Sequence, residues 1–119
     1  MKKLLDKERR RIKRKKHIRK IIRGTAERPR MTVYKSNRRL YIQVIDDTAG
    51  RTLASASNLE KEYRDLKLCV ENAGKLGQII GERLKKINVA RIVFDRNGYL
   101  YHGIVKAVAE SARKAGIQF

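Results

Sequence analysis

The chain has 119 residues, 41% of them hydrophobic, which suits one domain with one ordinary core and leaves little room for a second. Thirty-one Lys and Arg against 12 Asp and Glu give a formal charge of +19. Solubility asks for only about 2–8 units on a small domain, so the excess argues against a merely soluble basic protein and for a polyanionic partner. A single cysteine, Cys69, excludes an internal disulfide and suits a reducing compartment.

The charge is concentrated at one end. Residues 1–30 hold 15 basic and 3 acidic side chains, a net of +12, whereas residues 31–119 hold 16 and 9, a net of +7. From Lys7 to Lys20 the chain reads KERRRIKRKKHIRK. Arg9, Arg10, Arg11, Lys13, Arg14, Lys15, Lys16, Arg19 and Lys20 are candidate phosphate contacts there. Ile12, Ile18, Ile21 and Ile22 offer a narrow apolar stripe, but the dense like charge opposes a helix until an anion neutralises it. Residues 1–24 are therefore expected to be an arm, disordered or frayed when free; a solvated tail or a localisation signal is the alternative. No apolar run resembles a signal peptide or approaches transmembrane length, so a cytosolic location and no membrane are expected, with an Arg-rich organellar transit peptide left open.

Gly24 and Thr25 end the arm, and Arg28-Pro29-Arg30 marks a boundary after which a strand begins, because proline pushes its predecessor toward extended geometry. Residues 31–36 alternate, with Met31, Val33 and Lys35 on one side and Thr32, Tyr34 and Ser36 on the other. A turn over Ser36-Asn37-Arg38-Arg39 leads to a second strand in which Leu40, Ile42 and Val44 oppose Tyr41, Gln43 and Ile45. Asp46-Asp47-Thr48-Ala49-Gly50 is turn chemistry, and residues 51–57 give a third, weaker strand. Residues 58–64 read as a polar loop. From Leu66 the period changes: Leu66, Cys69, Val70, Ala73, Leu76, Ile80, Leu84 and Ile87 form the stripe of an amphipathic helix, which places Cys69 in the core. Gly74, Gly77 and Gly81 each cost that helix about 1 kcal/mol against alanine, and a close approach of Gly77 and Gly81 to the sheet is the expected compensation. Residues 90–94 read as a short buried strand. Residues 95–103 are a loop, and Val105, Val108, Ala109, Ala112 and Ala115 mark a last helix ended by Gly116.

The order βββαβα over residues 25–119 predicts an α/β fold of α+β character. Its mixed four-stranded sheet has an antiparallel three-strand meander and one parallel strand reached by a right-handed helical crossover. Both helices cover one face and the other is left free. That free face should carry Thr32, Tyr34, Tyr41 and Gln43, with Arg38, Arg39 and Arg51 nearby. Tyrosines there can stack on bases while arginines neutralise phosphates, or they can simply suit a pleated surface.

The loop Asp95-Arg96-Asn97-Gly98-Tyr99-Leu100-Tyr101-His102-Gly103 follows a parallel strand, where α/β ligands bind. Its two glycines suggest a main chain brought close to something a Cβ would block, for which an RNA backbone is the candidate. Gly103 opens a helix whose amides can hold phosphate. A structural turn is the rival reading. No nucleophilic serine with its base stands near Asp95 and His102, so no catalytic residue is assigned. His17, Cys69 and His102 lack the paired spacing of a metal site, so no metal or cofactor is expected. A ribonuclease H type of enzyme suits the strand order, but the first strand lacks the carboxylate that its metal chemistry requires.

The runs Gly24-Thr25-Ala26-Glu27-Arg28-Pro29-Arg30, Ser36-Asn37, Tyr41-Ile42-Gln43-Val44-Ile45-Asp46-Asp47 and Thr52-Leu53-Ala54-Ser55-Ala56-Ser57 resemble the bacterial ribosomal protein L-eighteen family. So do Val93-Phe94-Asp95-Arg96 and Gly98-Tyr99-Leu100-Tyr101-His102-Gly103, in order and over nearly the whole chain. The resemblance implies a non-catalytic constituent of the large ribosomal subunit in the cytoplasm. Such a protein binds 5S rRNA, helps attach it to 23S rRNA in the central protuberance, touches neighbouring ribosomal proteins and takes no small-molecule substrate. It adds Arg23, Gly24, Thr25, Arg28, Arg30, Ser36, Asn37, Tyr99, Tyr101, His102, Gly103 and Lys106 to the expected RNA-contacting set. Ile104 stands where the family often has arginine.

Overall fold

Met31 and Val33, and then Leu40, Ile42 and Val44, are fully buried, as their alternation with polar neighbours predicts. They lie on the first two of four strands in a computed structural model that describes residues 6–119, apart from the side chains of residues 18–21. The elements are α1 (Asp6–Ile21), β1 (Arg30–Lys35), β2 (Leu40–Asp46), β3 (Arg51–Ser57), a short 3-10 turn (Lys61–Tyr63), α2 (Val70–Lys86), β4 (Val93–Asp95) and α3 (Gly103–Lys114). The sheet order is β3-β2-β1-β4. β1 and β3 flank β2 antiparallel, and β4 joins β1 in parallel, with Met31 beside Phe94. The mixed sheet and the βββαβα order thus follow the sequence pattern.

The core joins that inner sheet face to Ala73, Leu76, Ile80 and Leu84 of α2 and Val105, Val108 and Ala112 of α3. Both helices end in the same device. The N–H groups of Val89 and Asn88 donate back to the carbonyls of Leu84 and Lys85, with Asn88 left-handed at φ 61°. Ile117 and Gly116 do the same to Ala112 and Arg113, with Gly116 at φ 106°. In each the residue after the left-handed one, Val89 or Ile117, is buried, so the cap also closes the core.

Three features of α2 and the stretch before it differ from the sequence reading. Cys69 is exposed rather than in the core. It is the extended residue that precedes α2, at φ −146° and ψ 171°, so the helical period does not yet apply to it. The stripe fades at both ends, because Val70 and Ile87 are exposed as well. Gly77 and Gly81 face α3 and not the sheet: a Cβ on Gly77 would stand 2.6 Å from the carbonyl oxygen of Val108, and one on Gly81 would stand 2.6 Å from the Ala115 Cβ. Close approach of two helices, rather than of helix and sheet, is what the glycines permit. Finally, the stretch read as a polar loop holds the 3-10 turn and a buried side chain, Asn58, which accepts a bond from the Leu40 N–H and donates to the carbonyls of Arg38 and Leu66. Arg83 on α2 ties the same corner down, gripping Glu60 with both terminal nitrogens at 2.9 Å and donating to the Ser55 carbonyl.

Candidate nucleic-acid interface

Within the arm, α1 (Asp6–Ile21) rests on the loop after β4. Asn97 and Gly98 are successive left-handed residues, at φ 55° and 76°, and both present their carbonyls to α1. Arg11 Nη1 donates to the Asn97 oxygen at 2.8 Å and Arg14 Nε to the Gly98 oxygen at 3.0 Å. The Arg11 guanidinium lies 4.5 Å from the centre of the Tyr99 ring, where a cation is attracted by the ring face. Tyr99 in turn donates through its hydroxyl to the Lys35 carbonyl and accepts from the Lys35 N–H, fixing the loop to β1. A Cβ on Gly98 would collide with the Arg11 carbonyl. The close approach inferred at this glycine is therefore made by the chain's own helix.

This docking divides the basic residues of α1. Arg11, Arg14 and Lys15 are half-buried, whereas Arg9, Arg10, Lys13 and Lys16 point outward and form no ion pair among the described residues. Arg19 and Lys20 are also candidate contacts, but their side chains lie outside the described residues. Gly98→Ala is expected to free α1 from the domain, because the new methyl cannot coexist with the Arg11 carbonyl. Hydrogen exchange should quicken by tenfold or more through residues 8–17, with the core strands unchanged.

The linker to β1 serves structure more than contact. Gly24 is buried, and its N–H donates to Asp47 Oδ2 at 2.7 Å. Thr25 Oγ1 accepts from the Arg28 N–H. Arg30, expected on the RNA surface, is instead buried: Nε and Nη2 bind both oxygens of Asp47 at 2.9 Å, and Nη1 binds Asp95 Oδ2 at 2.8 Å. Arg30 is thus removed from the contact set, because two carboxylates already neutralise it. Asp95 also accepts from the Asn97 N–H, shaping the turn on which α1 rests. Neither Asp47 nor Asp95 was legible as an anchor, since nothing in the spacing brings residues 17 and 65 positions from Arg30 to it. Arg23 and Arg28 stay exposed.

On the outer face of the sheet, Tyr34 stands opposite Tyr41 and Thr32 opposite Gln43. With Ser36, Arg39, Leu59 and Asn97 they line a hollow of about 650 Å³. Tyr34 is 57% exposed. Thr32 is buried, and its Oγ1 is the one buried side-chain polar atom among the described residues without a hydrogen-bond partner. Such a group costs roughly 1–3 kcal/mol where it stays unpaired. Arg39 is anchored through Nη1 to the Asn58 carbonyl, while Asn37, Arg38 and Arg51 are exposed.

The far end of the 95–103 loop is arranged differently. Tyr101 meets Phe94 edge to face, and its hydroxyl accepts from Arg113. His102 is exposed and makes no cap bond to α3. A Cβ on Gly103 would meet nothing within 4 Å, but its φ of 54° favours glycine. Conformation, not a close neighbour, therefore sets the requirement at Gly103. Lys106 lies 3.8 Å from Glu110 on the surface of α3. Among the described residues no three His, Cys, Asp or Glu side chains converge as a metal site would need, and no helix is long and apolar enough to cross a membrane.

Comparison with known proteins agrees with these features. Residues 5–119 match the family described as "Ribosomal L18 of archaea, bacteria, mitoch. and chloroplast". The chain is 62% identical to the large ribosomal subunit protein uL18 of Treponema denticola, over 99% of this chain and 98% of that one. It is 55% identical to the uL18 of Treponema pallidum, over 100% and 99%, and 47% identical to that of Listeria innocua, over 97% of each. With the match spanning arm, sheet and both core helices, the chain belongs to the L18 family of ribosomal proteins, whose role is structural rather than enzymatic.

Proposed function

We propose that this protein is a structural constituent of the large ribosomal subunit that binds 5S rRNA and helps attach it to 23S rRNA in the central protuberance. Its family membership supports the ribosomal part. The observation that carries RNA binding is the outward row Arg9, Arg10, Lys13 and Lys16, unneutralised and held on a helix fixed to the domain. Four such cations can track one phosphate backbone, while Arg38, Arg39, Arg51 and the tyrosines of the sheet meet another part of the RNA. Ser36, Asn37, His102 and the amides after Gly103 supply polar contacts at the rim. The docked helix lowers the ordering cost of binding, because fewer backbone torsions remain to be fixed.

The test is footprinting on 5S rRNA with the whole protein and with a chain lacking residues 1–22. The shorter chain keeps Gly24, Arg30, Asp47 and the entire core, so it should fold. Each phosphate contact contributes roughly 0.7–0.9 to the slope of log K against log salt. Loss of four should lower the slope by about 3 while the footprint of the sheet face persists. An unchanged slope would show that the arm does not touch the phosphates.

A further inference from the structure

We propose that the hollow on the outer sheet face seats one unpaired nucleobase of the bound RNA, stacked on Tyr41 and read at its polar edge by Gln43 and Thr32. The inference rests on the RNA-binding reading above and specifies what this part of the surface takes. The hollow, about 650 Å³, has room for a purine ring. Its sides combine aromatic surface from Tyr34 and Tyr41 with two polar side chains that the protein itself leaves unused. The Gln43 amide makes no hydrogen bond among the described residues, and Thr32 Oγ1 is buried without a partner. An amide offers a donor and an acceptor side by side, which matches the paired donor and acceptor of a base edge.

Among the described residues the single charged side chain in the lining is Arg39, and no carboxylate lies there. Among the described residues the Arg39 guanidinium is engaged through Nη1 alone, at the Asn58 carbonyl, so its other N–H groups can meet the phosphate of the seated nucleotide. Aromatic rings, an amide and a cation without a counter-charge favour a nucleotide over an apolar peptide. The base must come from a loop or bulge, because a paired base in an A-form helix cannot be laid against a sheet.

Chemical probing of 5S rRNA with dimethyl sulfate and a carbodiimide, which together report the Watson–Crick edges of all four bases, tests this. The wild-type protein should protect one unpaired base. Gln43→Ala and the shape-preserving Thr32→Val should each restore reactivity at that base, leave the backbone footprint in place and keep the melting temperature within a few degrees. Gln43→Ala should also weaken binding about tenfold. A wild-type footprint whose base reactivities are the same in both variants would overturn the inference alone, as when a neighbouring protein fills the hollow instead. Absence of any wild-type footprint would overturn the 5S rRNA reading and this inference with it.

Discussion

Gly77→Val is expected to destabilise the fold by about 2–3 kcal/mol, the cost of overpacking a site that cannot relax. For a domain of this size that lowers the melting temperature by roughly 10 °C. A Cβ at this position would stand 2.6 Å from the Val108 carbonyl oxygen and 3.0 Å from the Val108 Cα, both backbone atoms inside α3. Relief requires the two helices to separate, which loosens Leu76, Ile80 and Val108 together. The better helix propensity of valine returns only a few tenths of a kcal/mol. Gly74→Ala is the control, since its Cβ would meet only the Ser111 hydroxyl, at 3.0 Å, and that oxygen can rotate away. There the propensity gain of about 1 kcal/mol should leave stability unchanged or slightly raised. Thermal melts of the two variants separate close packing from helix propensity; equal behaviour would refute the helix–helix account.

The contrast between those glycines also marks how far the sequence can be read. Strands, order and sheet direction follow from local pattern: alternation through Leu40, Ile42 and Val44, turn residues at Asp46 to Gly50, and the three-to-four period from Ala73 to Leu84. Which neighbour a glycine approaches does not, because period identifies an inward stripe and not the element that meets it. The site divides in the same way. Tyr34, Tyr41 and Gln43 were legible as an outer face, since alternation against buried neighbours defines the two sides of a strand. Arg11 and Arg14 were indistinguishable from the other arm cations, and only the left-handed turn at Asn97 and Gly98 separates them. Arg30 misleads for the same reason: a basic residue in a basic run looks like a phosphate contact until a tertiary carboxylate claims it.

Arg30→Ala is expected to be the most damaging single change, at about 3–5 kcal/mol near neutral pH, the range for removing one partner of a buried pair. Asp95 is wholly buried and would lose its guanidinium, while Asp47 would keep the Gly24 N–H and the nearby charge of Arg23. The consequence should reach the arm, because Asp95 also positions the Asn97 turn that holds α1. The sign of the pH dependence follows from Asp47. The Arg30 hydrogen bonds, aided by the Gly24 N–H and the nearby positive charge, hold its carboxyl at about 2, below the ordinary 3.8. A carboxyl with a depressed folded-state pKa contributes stability that is complete above about pH 4 and is lost as the pH falls toward 2. The wild-type protein should therefore lose this increment in acid, and the variant, which lacks it, should not. Denaturant unfolding from pH 7 to pH 2.5 ought to show the gap between the two proteins narrowing below pH 4. A gap that stays constant through that window would mean that the Arg30–Asp47 pair contributes nothing to it and that the stranded Asp95 and lost packing account for the damage.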